Sequence, residues 1–586
     1  MEREEPETPA ELLAQLPRSL TPAPLKATPL SPVAQTEPGR TIPTPRPDFS
    51  PPEQPLPTEP LPQLPPVEEL LPSPSAPNIP GDLSGEADTK IEVTGYRIEG
   101  STVFDEAELA AVTAPYVGSI TFAQLLQARS AVTQLYVNQG YATSGAFIPP
   151  QTLTDGKVTI QVLEGTLEEI KVVGTNHLKP FYVRDRLALA GAKPLNVNQL
   201  LEGLKLLQLD PLLRSVSADL QAGIQPGTSA LEVTVAEADP FATRLAIDNE
   251  RSPSVGTFRR KIQFDHRNLI GIGDSLGLAY SNTDGSNGLD VFYAVPFNAT
   301  NGTVRFSYGR ARSNVVEKPF SNLDISSKST YYELNIRQPV ERTPTRDIAL
   351  GLAFSRQESQ SRLGFADIGP FPLSPGASER GETRVSVLRF FQEWSDRNSK
   401  QVLAARSQFS LGVPWFEATD NTAVSDEVPD SEFFAWRTQA QWVRLLAPDA
   451  LLLIRGDVQL SDRALLPLEQ FGVGGAGNGR GYRQDTILSD SGFQITSEVR
   501  LPLARFPKRK GLVQVIPFLD WGRGWNNTFP QPDTKTLLST GLGLLWQQGN
   551  HFSARLDWGY PLINRPENRD NWQENGLYFS VEYTPF

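Results

Sequence analysis

The sequence predicts two α+β repeats followed by a transmembrane antiparallel β-barrel of about 16 strands. Residues 89–239 run twice through the same order of strands and helices, which indicates an internal repeat. After Pro240 the helical pattern ends, and strand-like segments alternate apolar and polar residues as far as the end of the chain. These segments are about 9 to 12 residues long, a length that lets a tilted strand cross a bilayer.

The composition limits the classes of function. A chain of 586 residues is expected to form several domains, and its net charge of −13 argues against nucleic acid as a partner. Cysteine is absent, which excludes disulfide scaffolds, thiolate zinc sites and cysteine nucleophiles. His177, His266 and His551 are the only histidines and lie in no metal-binding motif, so we expect no metal and no cofactor. No apolar run approaches the roughly 18 to 20 residues of a transmembrane helix, so a membrane-spanning part must be built from strands.

Residues 1–88 are predicted to be a disordered, proline-rich linker. The first 80 residues hold 23 of the 51 prolines, and a segment of this composition buries too little apolar surface to offset the entropy lost on ordering. Residues 10–16, before Pro17, have the pattern of a short helix. The acidic start of the chain does not resemble a secretory signal peptide, and we expect a processed chain.

The two repeats share the order strand, helix, helix, strand, strand. In the first, predicted at 89–165, these elements are expected at 91–99, 105–113, 122–139, 142–148 and 156–163. In the second, predicted at 166–239, they are expected at 169–174, 180–190, 196–209, 216–222 and 230–236. Asp105 has the side chain and the position of a helix N-cap.

Residues 240–586 are predicted to form the barrel. In the last strand, for example, Leu577, Phe579 and Val581 share one face, while Tyr578 and Ser580 share the other. A soluble sandwich alternates in the same way. A membrane barrel is favoured because the polar faces carry many charges, as the wall of a water-filled lumen does. Tryptophans also lie near the segment ends, where an interfacial girdle places them.

One long connection, at about residues 461–490, is predicted to carry function. It is rich in glycine and contains Gly479-Arg480-Gly481-Tyr482. Long connections are commonly functional, and small neighbours would let Arg480 reach a partner that a bulkier loop could not approach. The alternative is a surface loop with a solvated arginine. Residues 472–477 also satisfy G-x-G-x-x-G, but the βαβ context of a dinucleotide site is missing.

The candidate partner of Arg480 is Asp520. In the predicted strand, Val513, Val515 and Leu519 share a face that we assign to lipid, so Asp520 faces the lumen. A carboxylate on the wall and an arginine on an inserted loop would form a charge-assisted pair with bidentate geometry.

Two motifs resemble those of the outer-membrane polypeptide-transporter superfamily. The tetrapeptide at 479–482 is similar to its loop motif V-R-G-[YF], and Phe518, Asp520 and Gly522 are similar to its strand motif F-x-D-x-G. The resemblance implies that the loop folds back into the barrel and that Arg480 meets Asp520. Gly479 stands where the superfamily usually has valine. It is expected to loosen the packing of the loop while leaving the pair intact.

Further motifs follow one another along residues 90–586. They are Tyr136, Gly140, Tyr141, Thr143, Ile148-Pro149-Pro150-Gln151, Gly156 and Val162-Leu163-Glu164-Gly165 in the first repeat, residues 223–229 and Leu231-Glu232-Val233 in the second, and Asp248-Asn249, Gly256, Asn268-Leu269-Ile270-Gly271 and Gly273-Asp274 in the barrel. In this order they resemble the POTRA domains and first barrel strands of two-partner secretion transporters, the FhaC and haemolysin-activator family.

The resemblance implies an outer-membrane translocator of type V secretion, with its POTRA domains in the periplasm. Its implied partners are a large secreted β-helical protein, outer-membrane lipid and the barrel assembly machinery. An extended segment of the unfolded partner would pair with a POTRA sheet edge, and the charged lumen is expected to offer no apolar surface that traps the passing chain. Energy would come from folding of the partner outside the cell. The terminal Phe586 is out of phase with the last strand, which bears on recognition by the assembly machinery.

Three alternatives remain open at this point. An insertase for barrel proteins shares the loop and strand motifs, but two repeats rather than a longer array favour export. A passive porin would not need the α/β repeats. A membrane-embedded hydrolase would need one of three scattered histidines for a triad. Of the three histidines, His551 is expected on a lumen face. The sequence predicts no enzymatic activity.

Overall fold

The computed structural model describes residues 56–57, 60, 62, 67–71, 90–153, 155–425, 427–528, 530–563 and 571–585. The helix expected at 10–16 and the terminal Phe586 lie outside these residues. Within the linker, α1 (Val67–Leu70) is a short helix. None of the helices in the described ranges is long and apolar enough to cross a membrane.

The first α/β unit contains β1 (Lys90–Val93), β2 (Gly95–Glu99), α2 (Glu106–Thr113), β3 (Gly118–Thr121), α3 (Phe122–Asn138), β4 (Gly145–Phe147) and β5 (Lys157–Leu163). The strand expected at 91–99 is divided, because Thr94 turns aside and its N–H donates to Gly156 O at 2.8 Å. As a result β1 pairs with β3, while β2, β5 and β4 form a separate three-stranded sheet. Asp105 caps α2 as expected, since its carboxylate accepts from Glu108 N at 2.8 Å.

Two of the motif residues in this unit form one hydrogen-bonded network. Tyr136 is fully buried, and its hydroxyl lies 2.9 Å from the Glu164 carboxylate. The same carboxylate accepts from Thr102 N at 2.7 Å and from Val103 N at 3.2 Å. Burial raises the pKa of Tyr136 to about 12. Burial also raises the pKa of Glu164, but these hydrogen bonds to its charged form outweigh burial and leave that pKa below its usual value.

The second α/β unit contains β6 (Thr166–Val173), α4 (Pro180–Ala190), α5 (Val197–Gln208), β7 (Leu213–Ala222) and β8 (Thr228–Glu237). Its sheet has the order β6-β8-β7, with β6 and β8 parallel. The helices pack on one face of this sheet through fully buried side chains that include Leu187, Leu200 and Leu204. Leu71, at the end of α1, belongs to the same core.

The rest of the described chain forms β9 (Phe241–Asp248), β10 (Arg259–Arg267), β11 (Ser275–Asn282), β12 (Ser286–Pro296), β13 (Thr303–Asn314), β14 (Ile325–Arg342), β15 (Arg346–Leu363), β16 (Gly369–Pro370), β17 (Glu382–Arg397), β18 (Gln401–Gly412), β19 (Phe434–Ala447), β20 (Ala450–Ser461), β21 (Phe471–Val473), β22 (Ile487–Ser489), β23 (Ser491–Phe506), β24 (Gly511–Trp525), β25 (Thr536–Gln548), β26 (Phe552–Pro561) and β27 (Leu577–Tyr583). In the described residues the barrel has 16 long antiparallel strands, β9–β15, β17–β20 and β23–β27. It closes where β27 pairs with β9, so no sheet edge is left.

The two faces of the wall differ as the alternation predicts. In β24, Leu519 and Trp521 point outwards and are 48% and 43% exposed, whereas Asp520 between them is 1% exposed. The inner face is not uniformly polar, however. Val402 and Val443 are lumen-facing and buried in one apolar cluster. The expectation that the lumen offers no apolar surface is therefore wrong.

The second α/β unit docks on the short turns at one end of the barrel. Lys179 N donates to Gly271 O at 2.8 Å, and Arg186 Nε donates to Asn301 Oδ1 at 3.0 Å. The turn that receives α4 is held by Asp274, which is fully buried and accepts from Ile270 N at 3.0 Å. Since β9 starts at this end and neighbouring strands are antiparallel, the connection between β20 and β23 lies at the opposite end.

Candidate functional site

The connection between β20 and β23 folds back inside the barrel. We call residues 462–490 the loop hairpin, because β21 and β22 pair within it from Phe471↔Ser489 to Val473↔Ile487. Phe471, Val473, Tyr482 and Ile487 pack together against Leu537, which belongs to β25 of the wall. All five side chains are buried. The tip of the hairpin therefore lies against the inner wall rather than in solvent.

Arg480 at this tip forms a bidentate pair with Asp520. Its Nε lies 2.8 Å from Asp520 Oδ2, and its Nη2 lies 2.8 Å from Asp520 Oδ1. The Arg480 backbone N–H donates to the same carboxylate at 3.0 Å. Both residues are 1% exposed. The structure thus brings together the two residues that the sequence analysis selected, in the planar fork geometry that only arginine provides.

The aromatic ring of Phe518 stacks against the guanidinium of Arg480. The Arg480 Cζ lies 3.4 Å from the centroid of this ring, which is itself buried. Phe518 and Asp520 are alternate residues on the inner face of β24. The F-x-D spacing therefore lets one short stretch of strand hold the guanidinium both at its face and at its edge.

Three charged residues of the site were not selected from the sequence. Arg480 Nη1 lies 2.8 Å from Glu498 Oε1 on β23 and 3.4 Å from Asp557 Oδ2 on β26. Arg555 joins these two carboxylates, at 2.7 Å from Glu498 and 2.8 Å from Asp557. Alternation places all three on the lumen side. Their closeness to Arg480 depends on the strand register, which the alternation does not reveal.

Gly481 allows the hairpin to touch the wall with its backbone. Its φ of +102° lies in the region that favours glycine. A side chain at this position would bring Cβ to 3.1 Å from Pro561 N and 3.2 Å from Gly559 C. Gly559 is equally confined, since a Cβ there would lie 2.5 Å from Arg480 C. The two glycines permit the approach that brings the Arg480 guanidinium down to the wall.

The hydroxyl groups of Tyr482 and Tyr578 hold the hairpin backbone at Gly481 and Tyr482 against the wall. The Tyr482 hydroxyl lies 2.9 Å from Leu538 O and 2.8 Å from Ile563 O. The Tyr578 hydroxyl accepts from Gly481 N at 3.1 Å and donates to Tyr482 O. Tyr578 was placed on the polar face of the last strand, but its role at the hairpin was missed.

Gly479 and Gly522 are sites of close packing. A Cβ at Gly479 would lie 2.9 Å from Gly474 Cα, because the backbones of the two residues are in contact. The expectation that Gly479 loosens the loop is therefore wrong: glycine here lets the hairpin fold tightly on itself. At Gly522 the space of a side chain is filled by Val473 of the hairpin.

A second ion pair anchors the opposite flank of the hairpin. Both oxygens of Glu469 lie near Arg389 Nη2 on β17, at 2.7 Å and 2.8 Å. Gln357 Nε2 on β15 donates to Glu469 Oε1 at 2.9 Å. The Glu469 and Arg389 side chains are 11% and 7% exposed. The only signal in the sequence was an acidic residue inside the long connection, which did not distinguish Glu469 from its neighbours.

Replacing Glu469 with alanine is expected to increase the frequency of channel opening about threefold to tenfold. The change removes one of the contacts that hold the hairpin and leaves the Arg389 charge without its carboxylate. The measurement is single-channel recording of purified protein in planar bilayers.

Glu417→Ala is the matched control for this change. Glu417 also pairs with an arginine, Arg384 at 2.7 Å, but its side chain is 83% exposed, so the loss should be small. Equal opening frequencies in Glu469→Ala and the unaltered protein would show that this pair does not restrain the hairpin.

The remaining candidates do not form a site. Residues 472–477, which satisfy the glycine pattern, lie in the hairpin after β21 and not in a βαβ unit. His551 lies in the turn between β25 and β26, with Nδ1 3.0 Å from Thr584 O, so its expected place on a lumen face is wrong. Across the described ranges, no group of three or more His, Asp or Glu side chains is arranged to hold a metal ion.

Two family descriptions match the chain. Residues 227–545 match the description "Haemolysin secretion/activation protein ShlB/FhaC/HecB". Residues 91–165 match "POTRA domain, ShlB-type".

Individual relatives agree with these matches. A protein of Dickeya dadantii named outer membrane transporter CdiB is 23% identical over 473 residues, which are 80% of this chain and 82% of the relative. The solved structure of CdiB from Escherichia coli aligns with a TM-score of 0.66 at 20% identity, over 87% of this chain and 93% of that one. BamA from Haemophilus ducreyi, lacking POTRA domains 1–3, aligns with a TM-score of 0.51 at 13% identity, over 85% and 100%. At these identities the two solved structures establish a likeness of fold.

Proposed function

The chain belongs to the haemolysin secretion/activation protein family ShlB/FhaC/HecB, and on this premise we propose that it is an outer-membrane translocator of two-partner secretion. Its two α/β units, as POTRA domains, capture an unfolded partner protein in the periplasm. The barrel then passes that protein to the cell surface. The partner is a large secreted protein with a β-helical repeat, and the translocator itself carries out no covalent reaction.

The observation that carries this proposal is a closed barrel whose lumen holds a hairpin attached by side-chain contacts. The wall is continuous, because every long strand pairs on both sides. The hairpin, by contrast, is held by side-chain contacts: ion pairs and hydrogen bonds at Arg480, Tyr482 and Glu469, and apolar packing against Leu537. These contacts can be exchanged for contacts with water or with a passing chain, so the hairpin can move while the wall stays intact.

Capture of the partner is expected at sheet edges of the α/β units. In the described sheets β4 is an edge strand of the first unit, and β6 and β7 are edge strands of the second. An extended segment can add to such an edge through main-chain hydrogen bonds. This mode suits an unfolded partner, because the main-chain hydrogen bonds require an extended backbone, while alternate side chains of the segment select the cognate sequence.

The apolar character of the outer face of the barrel indicates what surrounds it. Exposed outward side chains such as Leu352, Leu542 and Trp558, at 61%, 53% and 50%, make this face apolar. We infer contact with outer-membrane lipid on that basis, and insertion by the barrel assembly machinery.

The principal alternative is an insertase for other barrel proteins. The likeness to BamA does not decide between the two readings, because at 13% identity it concerns the fold alone. The match to a secretion family and the presence of two α/β units in the described chain favour export. A neighbouring gene for a very large secreted protein with a β-helical repeat would support export over insertion.

Residues 90–238 produced alone are expected to fold and to bind the unfolded N-terminal segment of the partner. Affinity should be weak, in the micromolar range or above, because ordering a disordered segment offsets much of the contact free energy. Circular dichroism checks folding, and calorimetry or NMR titration measures binding.

An unfolded segment of the same length and composition in shuffled order is the control for this titration. A fragment that folds but binds the cognate segment no better than the shuffled one would contradict the receptor role.

A further inference from the structure

The lumen wall carries an apolar patch close to the α/β units. We call Val402, Ala404, Val443 and Leu453 the wall patch; they lie on β18, β19 and β20 and are at most 2% exposed. Val402 pairs with Val443, which pairs with Leu453, so the patch runs across three neighbouring strands. In β18 these positions alternate with outward residues such as Phe409 and share the face of Arg406 and Gln408.

The position of the patch along the barrel axis is also defined. Val402 follows the turn at 398–400 by two residues, and this turn lies at the barrel end where the second α/β unit docks. A chain that enters from the periplasm therefore meets this part of the wall before it reaches the loop hairpin.

A short piece of the proline-rich linker covers the patch. Leu56 packs against the apolar side chains. Gln441, which is 6% exposed and lies beside the patch on β19, donates from Nε2 to Leu56 O at 3.4 Å and to Pro57 O. Gln441 Oε1 accepts from Arg455 Nε at 3.2 Å. Arg455 therefore sets the orientation of the amide, because a guanidinium can only donate.

The contacts at the patch suit an extended, uncharged polypeptide. The wall patch accepts an apolar side chain of leucine size. The Gln441 amide binds main-chain carbonyls rather than a particular side chain. Carbonyl groups of this kind are free in an extended segment, whereas helices and sheets use theirs internally. A charged side chain would lose hydration against the apolar side chains of the patch.

The linker is held near the patch by a second contact. Ten residues after Pro57, α1 begins, and the adjacent Leu70 and Leu71 are buried against the second α/β unit. A segment tethered at this distance has a high effective concentration at the wall, so even a weak contact stays occupied until a competitor arrives.

We propose that the wall patch is a binding site for extended, uncharged segments of the exported chain, and that Leu56 and Pro57 occupy it until the exported chain displaces them. This inference rests on the proposed export function and adds a contact inside the lumen to it. The polypeptide is then held at the entrance before it reaches the hairpin.

The test places a photo-crosslinking amino acid at Val443 of the full-length chain in cells. Without the partner, crosslinks should join position 443 to the segment around Leu56. With the partner expressed and its export stalled, they should join position 443 to the partner instead. Leu56→Asp should remove the internal crosslink and increase the crosslink to the partner at least twofold, because the competitor is weakened.

The control places the same crosslinker at Gln408, which is polar and on the lumen face of β18. If the partner crosslinks at 408 and never at 443, the wall patch is not a binding site and the inference is overturned while export stands. If the partner is neither secreted nor crosslinked at either position, the proposed export function fails and the inference falls with it.

Matched substitutions give a second readout. Gln441→Ala should reduce secreted partner per folded barrel about threefold, the size expected for the loss of one or two hydrogen bonds. Gln439→Ala, at the adjacent inward position on β19 and away from Leu56, should leave secretion unchanged. Equal secretion from both variants and the unaltered protein would count against the site.

Discussion

Replacing Arg480 with alanine is expected to reduce secretion of the partner protein at least tenfold, while the barrel still assembles. The guanidinium is 1% exposed, pairs with Asp520 through two contacts of 2.8 Å and also reaches Glu498 at 2.8 Å. Removing one member of a buried pair costs about 3–5 kcal/mol, because the other charge is left without its partner. The hairpin then loses its defined position over β24, whereas the hydrogen-bonded ladder of the wall is unchanged.

The same reasoning predicts the behaviour of related variants. Asp520→Ala should reduce secretion as much as Arg480→Ala does. The secretion defect of the double variant should be smaller than the sum of the two single defects, because both changes remove the same contact. Arg480→Lys should restore secretion only partly, since an ammonium cannot reproduce the two parallel hydrogen bonds or the stacking on Phe518. The measurement is secreted partner, normalised to folded barrel in the outer membrane.

Arg463→Ala provides the matched control for this series. Arg463 lies in the same connection, but its side chain is 47% exposed and its nearest carboxylate, that of Asp462, is 3.9 Å away, so its loss should have little effect. Strict additivity of the Arg480 and Asp520 variants, or normal secretion from both, would contradict a shared role.

Removal of the hairpin tip is expected to increase single-channel conductance several-fold. The tip carries Arg480 and Tyr482 into the lumen, where both are buried against the wall. Replacing residues 474–486 with an Asn-Gly turn keeps β21 and β22 connected through a two-residue hairpin and removes the side chains that reach the wall. Shortening the tip by 476–482 alone should act in the same direction. Conductance is measured in planar bilayers with purified protein.

Deletion of residues 422–425, which are exposed in another connection, is the control for altered loop length and should leave the conductance unchanged. If the unaltered protein and the hairpin variant are both electrically silent, the barrel does not enclose a pore that the hairpin obstructs.

The alternation of residues predicted most of the barrel, because it is a local property of each strand. It placed Leu519 outside and Asp520 inside, and both positions are confirmed by their exposure of 48% and 1%. Likewise, the side chain of Asp105 was enough to predict the start of α2. The turn at Thr94 was missed, because it depends on a hydrogen bond to Gly156, which is distant in sequence.

The alternation alone did not predict which residues form pairs at the functional site. The Arg480–Asp520 contact was predicted from the lumen side of Asp520 together with the resemblance to a known family, whereas the neighbouring Glu498 and Asp557 were not selected. The Glu469–Arg389 pair and the contact of Leu56 with the wall patch were not predicted. Each of these contacts joins segments far apart in sequence.

By itself, the sequence determined the α/β repeats, the strand-rich barrel and the side of the wall on which each strand residue lies. Apart from the Arg480–Asp520 pair, only the tertiary structure decided which lumen residues meet. The physical reason is that side chains in a strand alternate with a period of two. Sliding a strand by two residues therefore leaves every side chain on its face but moves it to another height along the barrel axis. Closure of the barrel through the β27–β9 pair fixes those heights, and so brings Asp520, Glu498 and Asp557 to the single guanidinium of Arg480.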